Sequence, residues 1–122
     1  MASPADFRRT ALSLAGTTQA PHFDRTAFKV TRIYATLAAD GRTANLKFTP
    51  DEQQLKCLVG PDAFAPAPNA WGRQGWTTAT LARLSAPELK AALVMAWQHA
   101  LPKTRSSARA APQKRRSKAN PQ

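Results

Sequence analysis

The sequence predicts an α+β domain in two layers, a mostly antiparallel sheet with helices from the N- and C-terminal ends packed on one face. Three observations predict it. Helix-start signals stand at Ser3 and again at Ser85, an alternating pattern fills Arg32 to Phe48, and hydrophobic residues make up 43% of the chain, enough for one modest core.

Ser3 offers an N-cap, Pro4 fits the first helical position and Asp6 places an acid in the first turn, so a helix is expected over roughly residues 3 to 15, ended by Gly16. Thr26 to Val30 alternates as a strand, with Phe28 and Val30 on one face and Lys29 on the other. The hairpin is the clearest local signal. Asp40-Gly41 reads as a type I′ turn, which pairs Leu37 with Ala44, Ala35 with Leu46 and Ile33 with Phe48 on an apolar face. The opposite face then pairs Thr36 with Asn45 and Tyr34 with Lys47, with Arg32 at its end.

Thr49-Pro50-Asp51-Glu52 is a capping box, predicting a short helix from about residue 50 to 58 with Leu55 and Leu58 facing inward. Gly60 to Ala70 reads as an irregular loop. Trp71-Gly72-Arg73-Gln74-Gly75-Trp76 follows it, then a threonine-rich strand through Leu81. A second capping box, Ser85-Ala86-Pro87-Glu88, opens a last helix in which Leu89, Leu93, Trp97 and Leu101 recur every four residues.

Charge divides the chain. The formal net charge is +11, but residues 103–122 hold seven basic side chains and no acidic one, leaving 11 basic and seven acidic, a net +4, on residues 1–102. The basic segment has no aliphatic or aromatic residue larger than alanine, so a disordered tail on a single 1–102 domain is expected. Its residues Lys103, Arg105, Arg109, Lys114, Arg115, Arg116 and Lys118 suit a polyanion such as nucleic acid. No membrane-spanning run or signal peptide is evident, and a soluble, cytoplasmic monomer is the expectation.

Catalytic chemistry finds little support. Cys57, His22 and His99 have no zinc spacing; Asp51, Glu52 and Glu88 are explained by helix caps and Asp40 by the turn. No phosphate loop, nucleophile elbow or HExxH stands in the chain, so no catalytic residue, metal or cofactor is expected and the protein reads as a non-enzyme. The candidate binding residues are cations with interleaved aromatics. Lys29, Arg32, Tyr34 and Lys47 fall on the open sheet face, where they could track a phosphate backbone and stack a base. Trp71 and Arg73 stand in the glycine-flanked stretch, and Arg8, Arg9, Arg25 and Arg42 could widen the patch.

Leu12-Ser13-Leu14-Ala15-Gly16, Pro21-His22-Phe23, Ile33-Tyr34-Ala35-Thr36-Leu37, Leu46-Lys47-Phe48 with Pro50-Asp51-Glu52, and above all Trp71 to Trp76 resemble the MmcQ/YjbR family over roughly residues 7 to 101. The resemblance implies a CyaY (frataxin)-type fold and a DNA-binding role through a double-wing arrangement. Iron binding, which that fold supports elsewhere through an acidic ridge, does not suit a chain this basic. The function expected is non-enzymatic DNA binding. The alternative is a protein-interaction or small-ligand module with an apolar groove around Trp71 and Trp76.

Overall fold

The computed structural model describes residues 1–102. Three helices open on the same local device. Ser3 Oγ accepts from the Asp6 amide at 3.1 Å while the Asp6 carboxylate accepts from the Ser3 amide at 3.0 Å. Thr49 with Glu52 and Ser85 with Glu88 repeat this exchange. Each box satisfies amides that have no partner inside the helix, and each is followed by a proline in the first turn, at the first helical position in α1 and α2 and at the second in α4, where a missing N–H costs nothing. The helices are α1 (Pro4–Ser13), α2 (Pro50–Val59) and α4 (Ala86–Ala100), with a short α3 (Asn69–Arg73) between the last two. α1 stops two residues sooner than expected, at an extended Leu14 cap, and Gly16 at φ +78° turns the chain toward the sheet.

Six strands form one antiparallel sheet in the order β1-β2-β3-β4-β6-β5. They are β1 (Thr18–His22), β2 (Arg25–Lys29), β3 (Ile33–Ala38), β4 (Thr43–Lys47), β5 (Phe64–Pro66) and β6 (Trp76–Thr80). Both edge strands carry a proline, Pro21 in β1 and Pro66 in β5, positions that tolerate a lost donor and discourage pairing with another chain. β1 and β5 escape the sequence pattern. β1 is exposed along its whole length, so no apolar alternation marks it, and β5 is three residues inside the expected loop.

α1 and α4 pack together, and α4 lies against β3 and β4. The core between them holds Phe7, Phe28, Leu37, Leu46, Leu89 and Leu93, each at most 1% exposed, and Phe7 meets Phe28 edge to face at 5.4 Å. Burial of each such side chain stabilises the fold by about 1.5–3 kcal/mol. Ala92, Ala96 and Ala100 line the buried side of α4 and let it approach the sheet closely.

Three expectations change here. The hairpin keeps its register, with Ala35 opposite Leu46 and Leu37 opposite Ala44, but the turn is not type I′. Of Asp40 and Gly41 only the glycine has positive φ; the Gly41 amide donates to Ala38 and the Asp40 carboxylate accepts from the Arg42 amide, closing a longer loop over Ala39 to Arg42. Second, a β-bulge interrupts β3. Phe28 pairs with Ala35 but Lys29 pairs with Ile33, so Tyr34 is the extra residue. The bulge breaks alternation: Tyr34 turns into the core at 1% exposure and Ile33 goes to the opposite face. Ile33 therefore does not pair with Phe48. Third, α2 turns Gln53, Lys56 and Cys57 inward, and Leu55 and Leu58, expected inside, are 58% and 76% exposed. The inward face is fixed by Gln53, whose amide donates to the carbonyls of Gly72 and Trp76, both at 2.9 Å.

Candidate nucleic-acid interface

Trp71 to Trp76 is built by close backbone approach. A Cβ on Gly72 would stand 2.1 Å from the Ala67 carbonyl oxygen, and one on Gly75, at φ +104°, would stand 1.9 Å from that of Phe48. Only glycine fits either place. The stretch is a helix-to-strand corner rather than a loop: α3 carries Trp71 and Arg73, Gly75 reverses the chain, and Trp76 begins β6. The two indoles meet edge to face at 6.4 Å.

That corner forms one wall of a groove on the sheet face not covered by α1 and α4. Its volume is about 430 Å³. Trp71, Trp76 and Pro68 stand on one side, the β1–β2 turn with His22, Phe23 and Asp24 on the other. Arg25, Ile33, Thr36 and Asn45 lie along the strands between. Arg25 spends Nε on Thr36 Oγ1 at 2.8 Å and one terminal nitrogen on the Thr36 carbonyl. Asn45 Oδ1 accepts from Thr78 Oγ1 at 2.8 Å, which fixes its amide in place on the sheet.

Of the sheet-face set expected from the sequence, two cations share this side and a third stands near them. Lys47 is opposite Trp76 and Lys29 opposite Ile33, so both project on the same face as groove residues. Arg32 is exposed in the β2–β3 connection. Partial burial, and then the nearby Arg32 charge, hold the Lys47 ammonium below its ordinary pKa. Lys47 also donates to the Gln74 carbonyl, tying β4 to the α3–β6 corner.

Tyr34 does not belong with them. Its hydroxyl hydrogen-bonds Thr17 Oγ1 at 2.9 Å and donates to the Ala11 carbonyl at 3.3 Å, on the α1 side of the sheet. Burial raises its pKa against the Thr17 hydrogen bond. Arg73 is exposed on α3 and enters no hydrogen bond or ion pair among the described residues, but it does not line the groove. Arg8 and Arg9 lie on α1, across the sheet, with Arg9 paired to Asp6 at 2.5 Å. Arg42 stands at the end of β4 opposite Lys47. Lys103, Arg105, Arg109, Lys114, Arg115, Arg116 and Lys118 lie outside the described residues.

Sequence reasoning missed Phe23. It is 94% exposed and occupies φ +58°, the first position of a two-residue turn between His22 and Arg25. The His22-Phe23 neighbourhood was visible, but nothing local marks an aromatic there as a turn residue. Cys57 is half-buried against the core, where burial raises its thiol pKa. Among the described residues no three of His, Cys, Asp and Glu come together as a metal site, and no helix is long and apolar enough to cross a membrane.

The YjbR family model matches residues 12–99. Among solved structures, the fold is similar to that of a Deinococcus radiodurans protein with a DUF419 domain, at 24% identity and a TM-score of 0.66, over 76% of this chain and 74% of that one. No curated protein matches the chain.

Proposed function

The chain belongs to the YjbR family, and from that premise we propose that it is a non-enzymatic DNA-binding protein that meets its partner with the uncovered sheet face. One observation carries the reading: Lys29 and Lys47 share a side of the sheet with an aromatic-walled groove, and Arg32 lies near enough to Lys47 for its charge to act on it. Like charges placed together disfavour one another, and after partial burial the Arg32 charge is the second cause that lowers the Lys47 pKa. A phosphate relieves that repulsion. Arg73, exposed on the same short helix as Trp71, supplies a further backbone contact, and the chain's basic residues from 103 onward add seven positive charges.

The test is the salt dependence of DNA binding by the full chain and by a Lys29→Gln, Arg32→Gln, Lys47→Gln variant. Each lost phosphate contact reduces the slope of log K against log salt by about 0.9 on duplex and about 0.7 on single strands. A slope lower by roughly 2 to 3 supports the reading. An unchanged slope and affinity removes the sheet face from it.

A second reading, a small-ligand or protein-interaction groove, has the apolar lining of Trp71, Trp76, Ile33 and Pro68 in its favour. Tryptophan fluorescence that responds to apolar ligands and ignores DNA favours it over the first.

A further inference from the structure

We propose that the groove takes unpaired bases, so that the nucleic acid recognised at this face is single-stranded, with bases stacking on Phe23 and Trp71 while the phosphates run along Lys29, Arg32 and Lys47. The inference rests on the DNA-binding reading and narrows it.

Phe23 is the first ground. A bulky residue with positive φ is strained, and the first central position of a two-residue hairpin turn with this φ pattern is ordinarily glycine. At 94% exposure Phe23 recovers almost none of that cost by burial, and its one aromatic contact is His22, its own neighbour, at 4.8 Å. An expensive conformation that displays an aromatic ring to solvent at the mouth of a groove is a ligand contact waiting for its ligand.

Trp71 is the second. It is 60% exposed, yet α3 is held rigidly by the close approach of Gly72 to Ala67 and by Gln53, so the indole is presented from a fixed base. Two aromatics on separate elements face one cleft whose volume, about 430 Å³, lies in the range of small-ligand sites of ~300–1,000 Å³.

Charge selects among apolar-faced ligands. The cations stand at the Lys29–Ile33 and Lys47–Trp76 end of the strands, whereas Asp24 stands at the other end, in the β1–β2 turn. A ligand with an aromatic body and a phosphate at one side fits both halves, and a nucleotide is that ligand. Between them, Asn45 and the unspent hydrogens of Arg25 offer donors to a base edge. Duplex DNA cannot use the aromatic walls, because its bases present edges, not faces, to a protein.

The experiment measures affinity of the full chain for an oligothymidine strand and for a duplex of equal length at one low salt concentration, in the native protein and in Phe23→Gly and Trp71→Ala variants. Both residues are largely exposed, and glycine relieves the strain at 23, so each variant is expected to fold; circular dichroism checks this. The expected result is tighter binding of the strand, lost by roughly 5- to 150-fold in each variant, with duplex affinity changed less than about twofold. Duplex bound as tightly as the strand, with both variants neutral, overturns the base-stacking inference and leaves the DNA-binding reading standing. No binding of either nucleic acid overturns that reading and the inference with it.

Discussion

The α-carbon of Gly75 sits so close to Phe48 that a methyl group there would lie 1.9 Å from the Phe48 carbonyl oxygen. The contact is mutual, since the Phe48 amide donates to the Gly75 carbonyl at 3.2 Å, and it joins the end of β4 to the start of β6. Gly75→Ala must both adopt φ +104° and push two backbones apart. A loss of about 2–4 kcal/mol is expected, read from urea unfolding midpoints at constant slope.

Tyr34→Phe removes the hydroxyl that bonds Thr17 and Ala11 while keeping the buried ring. The expected cost is about 1–2 kcal/mol from the lost bonds and the buried acceptor left behind. DNA affinity should not change, because the residue lies behind the sheet. A loss of binding at unchanged stability would return Tyr34 to the interface.

Phe23→Gly is expected to move stability and binding in opposite directions. Glycine adopts positive φ freely, so the fold should gain about 1 kcal/mol, less glycine's own entropic cost. Thermal unfolding of the two proteins in the same buffer measures it. A destabilised variant would mean that the ring has packing partners the exposed position does not show.

Acid should destabilise the fold through its helix caps. Glu52 is pushed up by burial, but the Thr49 amide and His99, 2.8 Å away, more than offset this and hold it below its ordinary 4.5. Asp6 and Glu88 are lowered chiefly by the Ser3 and Ser85 amides. A carboxylate with a lowered folded pKa stabilises above its unfolded value and loses that contribution as pH falls through the folded one. Stability should therefore hold above about pH 5 and decline below roughly pH 4.5. Glu52→Gln should make the decline shallower; an unchanged acid profile in that variant would show that the box carries no pH dependence.

What was legible in the sequence follows the range of the interactions. Ser3-Asp6, Thr49-Glu52 and Ser85-Glu88 each close within three residues, so the sequence alone determined where three helices begin. The Asp40-Gly41 position and the alternation on both strands likewise determined the pairing of Ala35 with Leu46, even though the turn is not the type I′ that the sequence predicts. The candidate face is half legible in the sequence: Lys29, Arg32, Lys47 and Trp71 stand out there as cations and an aromatic, and the Trp71–Trp76 stretch carries the family resemblance.

Only the tertiary structure decided the rest. The bulge at Tyr34 arises because β2 pairs Lys29 with Ile33, a demand set by a neighbouring strand and not by β3 itself. That one residue exchanges a tyrosine for an isoleucine on the groove side. The inward face of α2 was set by the carbonyls of Gly72 and Trp76 reaching Gln53, which overrode the apolar stripe of Leu55 and Leu58. Phe23 and Trp71, 48 positions apart in the chain, came to share a groove because the strand order carries β1 and β2 to one side of the sheet and β6 to the other. Caps and alternation are properties of neighbouring residues; a groove is a property of which strands lie side by side, and that order is settled by packing the whole chain at once.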